Sequence, residues 1–135
     1  MGTSALALTI FAAWTLALLV LMEVLRALLV VTGRAKANEF KPDNSNLSPF
    51  MQRLARAHAN CVEGLPVFGV LLLAAIVTGH QAVTDPLALW LVAARIAQSS
   101  VHLASSSVLA VNVRFAFFVV QLAIASYWAY AFLTS

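Results

Sequence analysis

Long apolar runs separated by short polar stretches make up most of the chain. The first run extends from Ala5 to Met22 with only Thr9 and Thr15 as polar interruptions, and mostly apolar residues continue to Val31. A run of this length is sufficient to cross a lipid bilayer as a helix. It has no basic segment before it and is longer than the core of a signal peptide. The pattern therefore predicts a retained membrane helix.

The same pattern predicts three more helices. A stretch rich in charged residues, Asn and Pro predicts a polar loop after the first helix, and Ser48-Pro49 then supplies an N-cap and a proline at the first helical position. Pro66 predicts a kink within the second helix, Pro86 opens the third, and a connection near Asn112 precedes the fourth. The fold class is an all-α, integral membrane four-helix bundle, one domain over residues 1–135. The predicted spans are residues 5–31, 49–78, 86–105 and 113–133.

Composition excludes several classes of protein. Hydrophobic residues make up 62% of the chain and charged residues 10%, whereas a soluble domain has about 25% charged residues. A water-soluble globule and a disordered chain are both excluded. Cys61 is the single cysteine, which excludes an internal disulfide and a Cys-rich metal site. No spacing of His, Cys, Asp and Glu resembles a metal site either, so no metal is expected. The aromatic residues stand in apolar runs and not among basic residues, which disfavours nucleic acid as a partner. Five of them are predicted to anchor the helices at the membrane interfaces or to face lipid: Trp14, Trp90, Trp128, Tyr127 and Tyr130.

Lys and Arg are concentrated at one end of the predicted bundle. The first connection and its flanks contain most of them, whereas the second connection and both tails contain none. By the positive-inside rule, residues 32–48 are cytosolic and both termini lie on the opposite face. The ionisable residues of the spans then fall mainly in one leaflet. This distribution disfavours a small transporter, because a permeation path needs polar groups across both leaflets.

Polar side chains share one face on each of three predicted helices. Charged residues inside a span face protein or a water-filled cavity, so they mark candidate sites. Apart from Arg53, which belongs to the basic flank of the first connection, the spans contain four arginines and two glutamates: Arg26, Arg56, Arg95 and Arg114 against Glu23 and Glu63. This surplus of positive charge predicts an anionic, peptide-like ligand whose carboxylates bind arginine and whose ammonium binds Glu63. The competing interpretation is that Glu63 pairs with Arg95 or Arg26 and that no ligand binds.

The stretch from Arg53 to Pro66, RLARAHANCVEGLP, resembles the second-helix motif of the MAPEG family, the membrane-associated proteins in eicosanoid and glutathione metabolism. The chain length, the four spans and the basic segment at residues 32–36 are also similar to that family. The resemblance implies a homotrimer that binds glutathione as a co-substrate between subunits near the cytosolic face. The positions that match the motif, Arg56, Asn60 and Glu63, would hold the tripeptide.

The resemblance also implies a chemistry. Arg114 is similar to the arginine that polarises the glutathione sulfur, and a cation beside a thiol favours the reactive thiolate. The implied activity is that of a microsomal-type glutathione transferase or a peroxidase, with hydrophobic electrophiles or lipid peroxides as second substrates. The further glutathione contacts that we expect are Arg53, Lys36, Arg95, Gln98 and His102.

Departures from the family pattern leave a second function open. The third helix has Gln98 and His102 where the eukaryotic enzymes often have His and Tyr, and the fourth has Phe115 and Phe118 in place of hydroxyl residues. Without those hydroxyls a thiolate would depend on Arg114 or on an inward-facing His102. The alternative is a non-catalytic MAPEG-type membrane protein that binds a lipid or a partner protein.

Overall fold

The computed structural model describes residues 1–135 and contains four α-helices and no strand. Each helix is long and apolar enough to cross a membrane. The predicted all-helical, multi-pass membrane fold is therefore confirmed. The helices are α1 (Thr3–Val31), α2 (Pro49–Thr78), α3 (Gln81–Ala104) and α4 (Val108–Leu133).

Helices α3 and α4 begin earlier than the apolar pattern predicted. Helix α3 starts at Gln81, and Pro86 lies in its second turn, where a proline removes a single backbone hydrogen bond near the helix end. Helix α4 starts at Val108 because the Ser107 Oγ accepts a hydrogen bond from the backbone N–H of Ala110 at 3.1 Å. The third connection is therefore short, and Arg114 lies about two turns inside α4 instead of at its start.

Helix α3 is the centre of the bundle, because it packs against all three other helices. Helix α4 packs on α3 and meets α2 at only a few positions, which leaves a cleft between α2 and α4. The largest part of the core lies beside this cleft and includes Phe11, Phe68, Leu91 and Trp128. Trp128 is fully buried, so the prediction that it faces lipid is wrong; its ring fills space between helices.

Both termini and the turn between α2 and α3 lie at the same end of the bundle. The backbone N–H of Ser4 donates to Asp85 Oδ1 at 2.9 Å, and the Ser4 hydroxyl also bonds to Asp85 and Thr84. At the C-terminal end of α4, the Phe132 ring lies 6.0 Å from the ring of His80. The polar loop between α1 and α2 therefore lies at the other end, together with the short connection between α3 and α4.

Arg26 and Asn44 fix the polar loop between α1 and α2. The Nε and Nη2 atoms of Arg26 donate to Asn44 Oδ1 at 3.1 and 2.6 Å, and Nη2 also donates to the Lys41 carbonyl at 3.0 Å. Asn44 is buried, has a left-handed φ of 55°, and donates to the Met51 carbonyl at 2.7 Å. Arg26 also forms the only ion pair of the chain, with Glu23 at 3.3 Å. These contacts remove Arg26 from the surplus of positive charge that the sequence suggested.

The contact between Ser4 and Asp85 predicts a measurable contribution to stability. The Asp85 carboxylate accepts an N–H from the first turn of α1, where backbone donors otherwise have no partner. We expect Asp85→Ala to lower the free energy of unfolding by about 1–2 kcal/mol. Thermal or denaturant unfolding in detergent measures this change. The control is Thr9→Ala, whose hydroxyl bonds to its own helix; equal losses in both variants would contradict the prediction.

Candidate functional site

A cavity of about 370 Å³ occupies the cleft between α2 and α4. This volume lies in the range of small-molecule sites, about 300–1,000 Å³. Helix α2 forms one wall, α4 forms the other, and α3 forms the floor. The site residues that the sequence predicted and that line the cavity are Asn60, Glu63, Arg95 and Gln98. The packing of α2 against α3 thus brings together groups that are far apart in the chain.

A layer of basic residues lies one helical turn from the cavity, toward the end with the polar loop. Residues four apart on a helix lie on the same face about 6 Å apart along the axis. Arg56, His102 and Arg114 stand four residues from cavity-lining positions on α2, α3 and α4, respectively, and we call these three residues the basic layer. Asn60 Nδ2 lies 3.4 Å from His102 Nδ1 and joins the layer to the cavity.

Arg95 is a buried guanidinium without an acidic partner. Its side chain is 1% exposed, and its Cζ atom lies 5.7 Å from the ring centroids of Phe11 and Phe68 and 5.9 Å from that of Phe118. Its Nη1 donates to the Asn60 carbonyl at 3.3 Å, whereas its buried Nε has no hydrogen-bond partner. The three rings stabilise the cation through their π faces. No carboxylate neutralises this charge.

Glu63 also has no ionic partner. It lies on the cavity wall, is exposed, and takes no part in the single ion pair of the chain. The structure therefore contains neither of the ion pairs that the competing interpretation requires, Glu63 with Arg95 or Glu63 with Arg26. Glu63 lies about 21 Å along α2 from its first residue, near the middle of the span. A carboxylate at that depth requires a partner or water.

Gly64 makes room for the Arg95 guanidinium. A Cβ atom at Gly64 would stand 2.8 Å from Arg95 Nη2 and 3.0 Å from the ring of Phe68. Contacts this short require the arginine or the ring to shift. The site prediction missed Gly64, although a glycine within a helical pattern weakens the helix and often has a packing reason.

Gln121 is a second residue that the site prediction missed. Its side chain is fully buried on α4. Its Nε2 donates to Gln98 Oε1 at 2.8 Å and to the Phe117 carbonyl at 3.1 Å. The available signals were its position as a polar residue inside an apolar run and its alignment with Arg114 and Phe118 on one face of the fourth helix. Gln121 therefore supports the cavity floor from behind.

Two of the predicted contacts, Arg53 and Lys36, lie outside both the cavity and the basic layer. Arg53 Nε donates to the Leu103 carbonyl at 2.9 Å, and its guanidinium lies 5.9 Å from the ring of Phe50. It thereby satisfies a carbonyl at the C-terminal end of α3. Lys36 is exposed in the polar loop and lines no part of the cavity. Within this chain, Arg53 stabilises the fold, and Lys36 has no contact with the other site residues.

Arg114 lies within the basic layer but does not line the cavity itself. Its Nε is buried and has no hydrogen-bond partner. Arg95 and Arg114 therefore both present a buried N–H without an acceptor, and buried polar groups normally have one. Guanidinium groups donate preferentially to carboxylates and other anions. This arrangement is suited to a ligand that carries negative charge and reaches both residues.

The model of the MAPEG family matches residues 4–134, nearly the whole chain. No curated protein and no solved structure matches significantly.

Proposed function

The chain belongs to the MAPEG family, and from this membership we propose that it is a glutathione-dependent membrane enzyme. Its activity would be that of a microsomal-type glutathione transferase or peroxidase, with hydrophobic electrophiles or lipid peroxides as second substrates. The observation that carries the proposal is the buried Arg95 guanidinium, which lines the cavity without an acidic partner. An uncompensated buried charge is destabilising by several kcal/mol. An anionic ligand would offset that penalty.

The polar groups of the cleft suit glutathione. The tripeptide has two carboxylates, for which Arg95 and the basic layer provide donors, and one ammonium, for which Glu63 provides an acceptor. Bound glutathione would supply a thiolate as the nucleophile. Arg114 would favour that thiolate by placing a positive charge beside the sulfur. Val67 and Leu122 add apolar wall to the cavity, which suits a hydrophobic second substrate.

Calorimetry in detergent tests whether the protein binds glutathione. Glutathione should release or absorb heat with a saturable one-site curve, whereas triglycine, which has one carboxylate and no thiol, should not. A conjugation assay with a chloronitrobenzene electrophile then separates an enzyme from a binding protein. Absence of glutathione binding by the wild-type protein would refute the proposal.

A non-catalytic membrane protein is the second candidate, because Phe118 occupies the cavity wall where a hydroxyl would assist a thiolate. Its ring lies 5.9 Å from Arg95 Cζ and provides no hydrogen bond to a ligand. Under this alternative, glutathione or a lipid would bind, but the chloronitrobenzene assay would give no conjugate above the rate in buffer.

Exposed charges on α2 support a homotrimer. Arg56 and Glu63 are exposed on the surface of one subunit, and a neighbouring subunit would cover them and complete the site. We expect the protein in detergent to have three times the mass of one chain by light scattering corrected for bound detergent. A stable monomer that still binds glutathione would contradict this prediction.

Charge distribution predicts the orientation in the membrane. Arg34, Lys36 and Lys41 lie in the loop between α1 and α2, and both termini lie at the opposite end of the bundle. We expect a reporter fused to the C-terminus to be active only on the non-cytosolic face. A tag inserted in the loop should be accessible from the cytosolic face. The reverse pattern would place the basic layer on the other side of the membrane.

A further inference from the structure

The Gln98 amide faces the cavity, and Gln121 sets its orientation. Gln121 is fully buried, and its Nε2 donates to two oxygens, the Phe117 carbonyl at 3.1 Å and Gln98 Oε1 at 2.8 Å. Gln98 lines the cavity, and its own Nε2 has no hydrogen-bond partner in the protein. The Gln98 Nε2 is therefore the atom of this amide pair that a ligand in the cavity would contact.

The Phe117 carbonyl determines which atom of each amide points in which direction. A carbonyl oxygen only accepts hydrogen bonds, so the end of Gln121 that faces it must be the NH₂ group. The same NH₂ group reaches Gln98, which must therefore present its oxygen to Gln121. Rotating either amide by half a turn would bring two oxygens or two N–H groups together. The Gln98 NH₂ group is thus directed away from Gln121 and toward the cavity.

We propose that Gln121 is a positioning residue that holds Gln98 as a hydrogen-bond donor to the ligand. The ligand group that reaches Gln98 is then an acceptor, a carboxylate or a thiolate, and not an ammonium. Arg95 lies one turn away on the same helix and adds a charged donor to that side of the cavity. Glu63, on α2, is left as the acceptor for the ammonium. The identity of the ligand as glutathione rests on the proposed function.

A double-mutant cycle tests whether Gln121 acts through Gln98. The variants are Gln98→Met, Gln121→Met and the double variant, and the measurement is glutathione affinity by calorimetry in detergent. We expect Gln98→Met to weaken binding about tenfold, because a donor to a charged acceptor is lost, and Gln121→Met to weaken it about threefold. In the Gln98→Met background, Gln121→Met should have no further effect. Independent, multiplicative losses would overturn the proposal.

A change that preserves the donor provides a rescue. In Gln98→His, a neutral imidazole accepts from Gln121 at one nitrogen and donates to the cavity from the other, so its affinity should stay within about threefold of wild type. In Gln98→Glu, an ionised carboxylate only accepts, so binding should weaken more than in Gln98→Met. An affinity of Gln98→His equal to that of Gln98→Met would overturn the proposal, since His keeps a donor toward the cavity and Met does not.

Unfolding of the ligand-free protein tests this inference independently of the proposed function. If wild type binds no glutathione, the proposed function fails, and the unfolding temperatures of the same four proteins then decide on the amide pair. Loss of one amide leaves the other buried without its partner, so the double variant should unfold at a higher temperature than the sum of the two single shifts predicts. Additive shifts would show that Gln98 and Gln121 are not coupled, and would overturn the inference.

Discussion

Replacing Arg114 with leucine should lower the rate of glutathione conjugation at neutral pH by on the order of 100-fold, while glutathione affinity falls only about threefold. Arg114 lies in the basic layer and makes no side-chain hydrogen bond or ion pair within the chain, so its charge is not committed to another residue. A nearby cation lowers the pKa of a thiol, and a loss of about two pKa units leaves about one hundredth of the thiolate. Affinity changes less because Arg56, Asn60 and Glu63 would hold the peptide portion.

Thiolate absorbance titrated against pH is the direct measurement. In Arg114→Leu the absorbance should appear at higher pH than in wild type, and conjugation activity should partly recover in alkali. Arg34→Leu is the matched control, because Arg34 is exposed in the polar loop and makes no side-chain hydrogen bond or ion pair. Wild-type protein that binds glutathione without thiolate absorbance below about pH 8, near the ordinary pKa of a thiol, would favour the non-catalytic alternative.

The fold could be predicted because the bilayer limits the choice of structure. Every backbone polar group in a span must be satisfied internally, so each long apolar run implies a helix. Helix ends were less predictable, since they depend on local contacts such as the Ser107 cap, and a serine there is equally typical of a loop. Trp128 was misplaced for a related reason: in a chain this apolar, the residue type does not distinguish a core position from a lipid-facing one.

The site was only partly predictable. Residues three or four apart on a helix share a face, and this alone predicted two pairs that line the cavity. The pairs are Asn60 with Glu63 on α2, and Arg95 with Gln98 on α3. Periodicity does not predict which residue of another helix each of these side chains will contact.

The role of each arginine depends on contacts with residues that are far away in the sequence. Arg53 bonds to the carbonyl of Leu103, and Arg26 bonds to Asn44. Arg95 lies against the ring of Phe11, which α1 contributes. The surplus of arginines could be counted from the sequence, but which of them were already committed to backbone or amide oxygens required the structure.

Replacing Arg95 with methionine should raise stability and abolish tight ligand binding in the same protein. The guanidinium is buried among aromatic rings without a carboxylate, and replacing a buried charge by an apolar side chain of similar length is neutral or stabilising by about 1–3 kcal/mol. Methionine suits the site because its sulfur packs well against aromatic rings. Glutathione affinity should fall by on the order of 100-fold, since a charged donor to a carboxylate contributes about 2–3 kcal/mol.

Arg26→Met is the matched control, with the opposite expectation. It removes the donors to the buried oxygen of Asn44, and an unsatisfied buried acceptor is destabilising by about 1–3 kcal/mol. Glutathione affinity of the folded Arg26→Met protein should stay near that of wild type, because Arg26 is already bonded within the chain. Unfolding in detergent and calorimetry give both quantities for each variant. A less stable Arg95→Met protein with unchanged affinity would mean that the buried guanidinium serves the fold, and that the cavity does not select an anion.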